Sequence, residues 1–380
     1  MDYERRLNGL REQMEQRGLG LVAYGPCPEL QYLTGLLLDW RCEADVSWSA
    51  ATVFVPPDAP PALVLPETCA DRSGQTWISD VRILEEGADL GALVRAVLGD
   101  LGATGGRIAL GKRLSTRLSA SLRSLTDGAE LCEAAGLMDA LRMIKDPQEV
   151  ALLRAVARLT DEVFEAVIPR IREGVTQPEL EAEVELAGRR LGASGVSFAP
   201  AVIFTQSGSQ PAPEPFTYPR EKGLVAGTSI AFDIGFVKDG YCSDFGRSLY
   251  FGDAPEDVSS AYEALQQGMV QTVGRMRDGS VRLCDLFPAI ERTLDGLGYG
   301  DYLRARLPDG VLGHSIGIDV HEDPWISPRC DEAIRANMVL ALEPKLWHSG
   351  EYYLRVEDVV LVGEDGCEFL TSFDRTTFQL

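Results

Sequence analysis

Apolar and polar positions along the chain follow two periods in turn. Residues 3–17 are mostly charged but carry Leu7, Leu10 and Met14 at helical spacing, which predicts an amphipathic helix. The apolar runs at 19–24 and 50–55 predict buried strands. Pro56, Pro57, Pro60 and Pro61 then mark a turn before a further strand at 62–65. Helices are predicted over 88–102 and 114–125. This alternation predicts an α/β domain over residues 1–140.

A strong helix start follows at Asp146-Pro147-Gln148-Glu149, with Asp146 as N-cap, Pro147 at N1 and Glu149 at N3. Val150, Leu153, Val156, Leu159, Val163 and Val167 supply its apolar stripe, and Gly174 stops it. A second helix begins at Thr176, with Pro178 and Glu179 behind it. A loop at 208–219 contains Pro211, Pro213, Pro215 and Pro219, and strands are predicted at 228–236 and 241–251. The order then returns: helices at 255–277 and 284–296, strands at 337–343 and 353–362. Two helix–helix–strand–strand runs in tandem predict an α+β domain over 141–380 with an internal pseudo-duplication.

Composition narrows the classes. Hydrophobic residues make up 45% of 380, which is ordinary for a globular chain. No apolar run approaches the roughly 20 residues of a membrane span, and the charged N-terminus is unlike a signal peptide, so a cytoplasmic protein is expected. The eight cysteines show no CxxC pair, which argues against a structural zinc site and a disulfide framework. The net charge of −22 makes nucleic acid and anionic membranes poor partners.

The candidate chemistry sits where carboxylates interrupt apolar strands. Asp233 lies within Ser229-Ile-Ala-Phe-Asp233-Ile-Gly235, and a lone buried carboxylate there costs several kcal/mol, roughly, unless paired or metal-bound. Asp244 is eleven residues on; a hairpin at Lys238-Asp239-Gly240 would turn both toward one pocket. Two of the three histidines, His314 and His321, fall in one glycine-containing segment. Glu343 follows an apolar run and is stopped by Pro344, and Glu357 lies inside Leu354-Arg-Val-Glu357-Asp358-Val-Val-Leu361. Four carboxylates and one imidazole suit a pair of Mn, Co, Zn or Fe ions.

In order and spacing the chain resembles the creatinase/aminopeptidase P/prolidase superfamily. The resemblance runs through Tyr32-Leu-Thr-Gly35, Leu141-Arg-Met-Ile-Lys145, Asp233, Asp244-Phe-Gly-Arg247, Gly313-His-Ser-Ile-Gly317, His321-Glu322, Glu343-Pro344 and Arg355-Val-Glu357-Asp358. It implies a creatinase-like N-terminal domain followed by a pita-bread metallohydrolase domain. It also implies two divalent ions held by Asp233, Asp244, His314, Glu343 and Glu357, with Asp244 and Glu357 bridging. Glu343 would handle a proton, His321 would be the catalytic histidine, and Arg355 would orient Glu357. A homodimer is implied as well, in which Asp39-Trp40-Arg41 is the segment placed to reach the partner's site; a Trp40 packed in its own domain is the alternative.

The match departs from proline-specific members at two histidines. One falls in Ser207-Gly-Ser-Gln-Pro-Ala-Pro-Glu-Pro215, which has none, and the other is replaced by Gly310. His348 and Glu214 are the candidate replacement anchors. The reading is an Xaa-Pro aminopeptidase or dipeptidase cleaving an amide with metal-activated water. The alternatives are hydrolysis or lysis of a small zwitterionic metabolite, as in relatives acting on creatine, ectoine or dimethylsulfoniopropionate, and a catalytically silent metal-binding protein.

Overall fold

The structure is a computed structural model that describes residues 1–38, 40–41, 50–103, 105–126 and 128–380. It divides into two compact units, Met1–Leu141 and Arg142–Leu380.

In the first unit a mixed six-stranded sheet runs Asp80–Leu84, Ala62–Pro66, Thr52–Val55, Leu21–Tyr24, Arg107–Leu110, Glu130–Glu133. The helices Leu90–Asp100 and Thr116–Leu125 bury Val94, Val97, Leu118 and Leu122 against Leu21, Phe54, Val64 and Ile108. Trp40 is buried in this unit. Its indole donates to Gln31 Oε1 at 3.2 Å, and the guanidinium groups of Arg41 and Arg113 lie over its ring at 4.1 and 5.2 Å. Asp39, the residue before it in the segment singled out from sequence, lies outside the described residues.

The second unit is built on a nine-stranded sheet whose main path is Glu322–Ile326, Gly313–Ser315, Val339–Leu342, Tyr352–Val362, Phe245–Phe251, Thr228–Ile234, Ala201–Gln206. Each half has its own helix pair. Pro147–Val167 and Gln177–Arg190 each open with a capping box, at Asp146/Glu149 and Thr176/Glu179. They pack Val156, Val163, Phe164, Leu180 and Val184 on Phe204, Ile230, Phe232 and Phe245. Glu256–Val273 and Leu286–Leu297 do the same for the other half, on Leu340, Leu342, Leu354 and Val360. The first helix of the second pair ends at Val273, short of the 277 expected, and a turn at Gly274 and Arg275 carries the chain on.

The hairpin expected at Lys238-Asp239-Gly240 is present. Asp239 and Gly240 take φ of 49° and 80°, the left-handed pair that a two-residue turn needs. Its arms are not continuous with the long strands. Phe236–Lys238 and Tyr241–Cys242 form a small sheet with Gly195–Val196, while Thr228–Ile234 and Phe245–Phe251 pair in the main one. Gly235 marks the change of sheet: a Cβ there would lie 2.2 Å from Ser197 Oγ and 2.4 Å from the Ser243 carbonyl oxygen.

A fully buried ion pair lies under the centre of the main sheet. Arg247 donates to Asp358 Oδ1 at 2.6 Å, both side chains being 0% exposed, and also to the carbonyl oxygens of Gly246 and Glu357 at 2.8 and 2.7 Å. Asp358 further accepts from Thr371 Oγ1 at 2.7 Å and Arg375 Nε at 3.1 Å. Removing one partner leaves an uncompensated buried charge. Asp358→Ala is therefore expected to destabilise this unit by about 3–5 kcal/mol, read as a lower denaturant midpoint. A midpoint equal to wild type would show that the pair does not hold the sheet together.

Candidate metal centre

Strand register brings the candidate ligands onto one patch. Gly246 faces Asp233 on one neighbouring strand and Glu357 on the other, and directly opposed residues project from the same face. Asp244 lies two residues before Gly246. Glu343 stands just past the end of Val339–Leu342, and His314 lies on Gly313–Ser315, paired with Ala341. Two glycines make room for this convergence. A Cβ at Gly246 would come within 2.6 Å of Arg355 Nε, and one at Gly313 within 1.9 Å of the Ala341 carbonyl oxygen.

The ligand atoms fall into three overlapping groups, each within 4.8 Å: Asp233, Asp244 and Glu357; His314, Glu343 and Glu357; and Asp244, His314 and His321. All five residues expected to hold metal are thus together, with His321 beside them. Four carboxylates face two cations in the cluster. Arg355 bonds Asp233, Glu343 at 2.9 Å and Glu357 at 2.5 Å, while Lys345 pairs with Glu343. Burial, helped by neighbouring carboxylates, pushes Asp244 and Glu357 well above the usual carboxylate range. Glu343 goes the other way: burial raises it, but Lys345 and Arg355 outweigh that and hold it at about 2.

Three buried carboxylate oxygens, Asp233 Oδ1, Asp244 Oδ1 and Glu357 Oε1, have no hydrogen-bond partner. Buried polar atoms are nearly always satisfied. Three acceptors left over in one cluster, with excess negative charge and one imidazole, fit divalent cations of the kind that carboxylate and histidine share.

The cluster forms one wall of a cavity of about 500 Å³. Phe198, Ile203, Phe216, Tyr218 and Tyr353 supply its apolar lining, and Arg220, Arg306 and Lys345 its further cations. Neither residue expected as a replacement anchor lines it. His348 is stacked on Tyr302 at 4.5 Å and set edge-on to Tyr352, which commits its ring elsewhere. Glu214 is exposed in the proline-rich loop. That loop does contribute, but through Phe216 and Tyr218, with Arg220 just beyond its end. These three, together with Arg306 and Lys345, carry no signal in the sequence: none interrupts an apolar run or falls in a motif.

The absence of a histidine at 310 is built into the backbone. Gly310 has φ of 65°, and a Cβ there would lie 2.9 Å from Pro328. A histidine at this position would require the loop to be rebuilt.

The chain is similar to known proteins in sequence and fold. The family model described as metallopeptidase family M24 matches residues 151–364, and that for the creatinase/prolidase N-terminal domain matches residues 6–144. The putative dipeptidase YkvY of Bacillus subtilis (strain 168) is 32% identical over 262 residues, 69% of each chain. A dipeptidase from Pyrococcus horikoshii OT3 of known structure is 26% identical, with a TM-score of 0.86 over 99% of this chain and 100% of that one. An Xaa-Pro dipeptidase from Bacillus anthracis shares the fold at 21% identity, with a TM-score of 0.85 over 100% of both chains.

Asp244 and Glu357 each take part in two of the three donor groups. Asp244→Ala or Glu357→Ala is accordingly expected to lower bound metal from two equivalents to near none after dialysis, measured by elemental analysis. A metal content equal to wild type in both variants would remove these residues from the centre.

Proposed function

The chain belongs to metallopeptidase family M24, and from that premise we propose that it is a dinuclear metal-dependent hydrolase of short peptides, prolidase-like, attacking an Xaa-Pro amide. Its fold is that of the creatinase/aminopeptidase P/prolidase superfamily, a creatinase-like N-terminal domain and a pita-bread catalytic domain. The observation that carries the proposal is the cluster of Asp233, Asp244, His314, Glu343 and Glu357 on the wall of a cavity, with three carboxylate oxygens lacking partners. The dipeptidases among the similar proteins support the substrate class.

Asp233, Asp244 and Glu357 would hold one ion, and Asp244, His314, Glu343 and Glu357 the other, with Mn, Co, Zn and Fe all compatible with this donor set. Bound there, such ions make water more acidic and polarise the attacked carbonyl. Lys345 and Arg355 both donate to Glu343 Oε2, so Oε1 is the atom free to take a proton. Arg355 also fixes Glu357 through Oε2, which leaves Oε1 for the ions.

His321 stands at the edge of the cluster, its ring stacked on Trp325 at 5.4 Å and set edge-on to His314 at 4.5 Å. Burial and His314 lower its pKa from the ordinary histidine value. It is therefore neutral at pH 7 and suited to donate a hydrogen bond to the substrate oxygen on which charge develops. The aromatic lining would hold the side chains flanking the scissile bond.

No helix among the described residues is long and apolar enough to cross a membrane. A cytoplasmic location and a homodimer belong to the same proposal and rest on the family resemblance. The packing of Trp40 against Arg41 and Arg113 within its own unit favours a structural role for that indole.

Metal-loaded enzyme should hydrolyse a panel of Xaa-Pro dipeptides. Turnover of a zwitterionic amide or sulfonium compound, with every Xaa-Pro peptide left intact, would overturn the substrate class. His321→Ala should retain both ions and lose kcat by roughly 10²-fold or more. If metal leaves with the imidazole, His321 is a ligand and its role here is wrong.

A further inference from the structure

Four cationic side chains among the described residues line the cavity, and three of them are already neutralised. Lys345 pairs with Glu343, Arg355 with Asp233, Glu343 and Glu357, and Arg220 with Glu181 at 3.1 and 2.5 Å. Arg306 has no carboxylate partner among the described residues, and its Nε is buried without a hydrogen-bond partner. In a chain of net charge −22 such a cation stands out.

Arg306 is also held in place. Its guanidinium lies 5.6 Å from the ring centroids of both Phe216 and Tyr353, two rings that line the cavity and meet edge to face at 5.9 Å. An aromatic frame of this kind removes water from the guanidinium faces and leaves its N–H edge to bond. That edge is a planar donor fork, which matches a carboxylate in a bidentate way.

We propose that Arg306 anchors the C-terminal carboxylate of the substrate, so that the enzyme selects free dipeptides over C-terminally blocked or longer peptides. The proposal rests on the peptidase reading of the same cavity. The metal-ligand cluster and the unpaired guanidinium both line this cavity. An extended dipeptide, about 7 Å long, would present its amide to the first and its carboxylate to the second. A C-terminal amide or a third residue would replace the anion with a neutral group at Arg306, and the charge-assisted bonds would be lost. The two family histidines missing at 207–215 and at Gly310 thus need no imidazole substitute, because the recognising charge comes from a different element, the end of the helix Gly300–Arg306.

The test compares one dipeptide with its C-terminal amide. Both would be assayed as substrates of the metal-loaded enzyme and, as non-hydrolysable reduced-bond analogues, titrated by calorimetry. Wild type should prefer the acid over the amide by about tenfold or more in each measurement. Arg306→Gln should bring that ratio close to one, and Arg306→Lys should keep part of it; thermal melts of both variants confirm folding. An unchanged ratio in Arg306→Gln, no acid preference in wild type, or no binding of either analogue would overturn the anchor. If the acid binds preferentially through Arg306 but neither compound is cleaved, the anchor stands and the peptidase reading falls. If acid and amide are cleaved equally well, the peptidase reading stands and the anchor falls.

Discussion

Everything around the catalytic unit's sheet answers to one electrostatic constraint: four carboxylates converge where each would be costly alone. Asp233 and Glu357 flank Gly246 from both sides, Asp244 precedes it and Glu343 closes the group. Burial, together with mutual repulsion, pushes Asp244 and Glu357 toward protonation. A fold can carry such a group only by supplying positive charge and by preventing the strands from separating. Arg355 and Lys345 supply charge from the front. Arg247 and Asp358 brace the strands from behind, and Arg247 grips the Glu357 carbonyl directly. Two cations still leave two carboxylates uncompensated, and the three partnerless oxygens mark where the missing charge belongs. A cluster this costly, kept inside two well-packed halves, is the mark of a site shaped by function rather than by stability.

That constraint also explains which parts were legible in the sequence. A carboxylate within an apolar strand contradicts its surroundings, so Asp233 and Glu357 announce themselves. The Asp146 and Thr176 caps are local chemistry and read directly, as does the Asp239-Gly240 turn. Lys345 and Arg306 were silent because nothing local distinguishes a cation that pairs across strands, or one framed by two rings, from a solvated one. Phe216 and Tyr218 sit in a proline-rich loop whose path is set by tertiary contacts. His348 misled for the matching reason: closeness in sequence to Glu343 and Glu357 says little about a strand-end ring that a tyrosine has already claimed. The change of sheet at Gly235 was hidden because both small arms keep the apolar pattern of the long ones.

The motif Leu141-Arg-Met-Ile-Lys145 marked the domain junction by resemblance alone, and its two cations prove to have a physical task within the catalytic unit. Arg142 donates to Glu322 Oε1 at 2.5 Å, and Lys145 lies 3.4 Å from Glu322 Oε2 and 2.9 Å from Ser315 Oγ. Ser315 follows His314, and Glu322 follows His321, so the pair clasps the histidine segment at both ends. The Asp319 amide closes it further on Glu322 at 3.0 Å, and Gly317 is needed because a Cβ would meet the same carboxylate at 2.8 Å. Burial raises Glu322, yet Arg142 and Lys145 more than offset this and keep it ionised, while burial draws Lys145 below its ordinary value. The segment carries one imidazole into the ligand cluster and leaves the other beside the cavity. Holding a proposed ligand histidine and a proposed catalytic one seven residues apart favours a rigid loop, since a shift of either ring would take it away from the ligand cluster. A buried ionic clasp supplies that rigidity where hydrophobic packing could not, because both ends of the loop must stay close to charge.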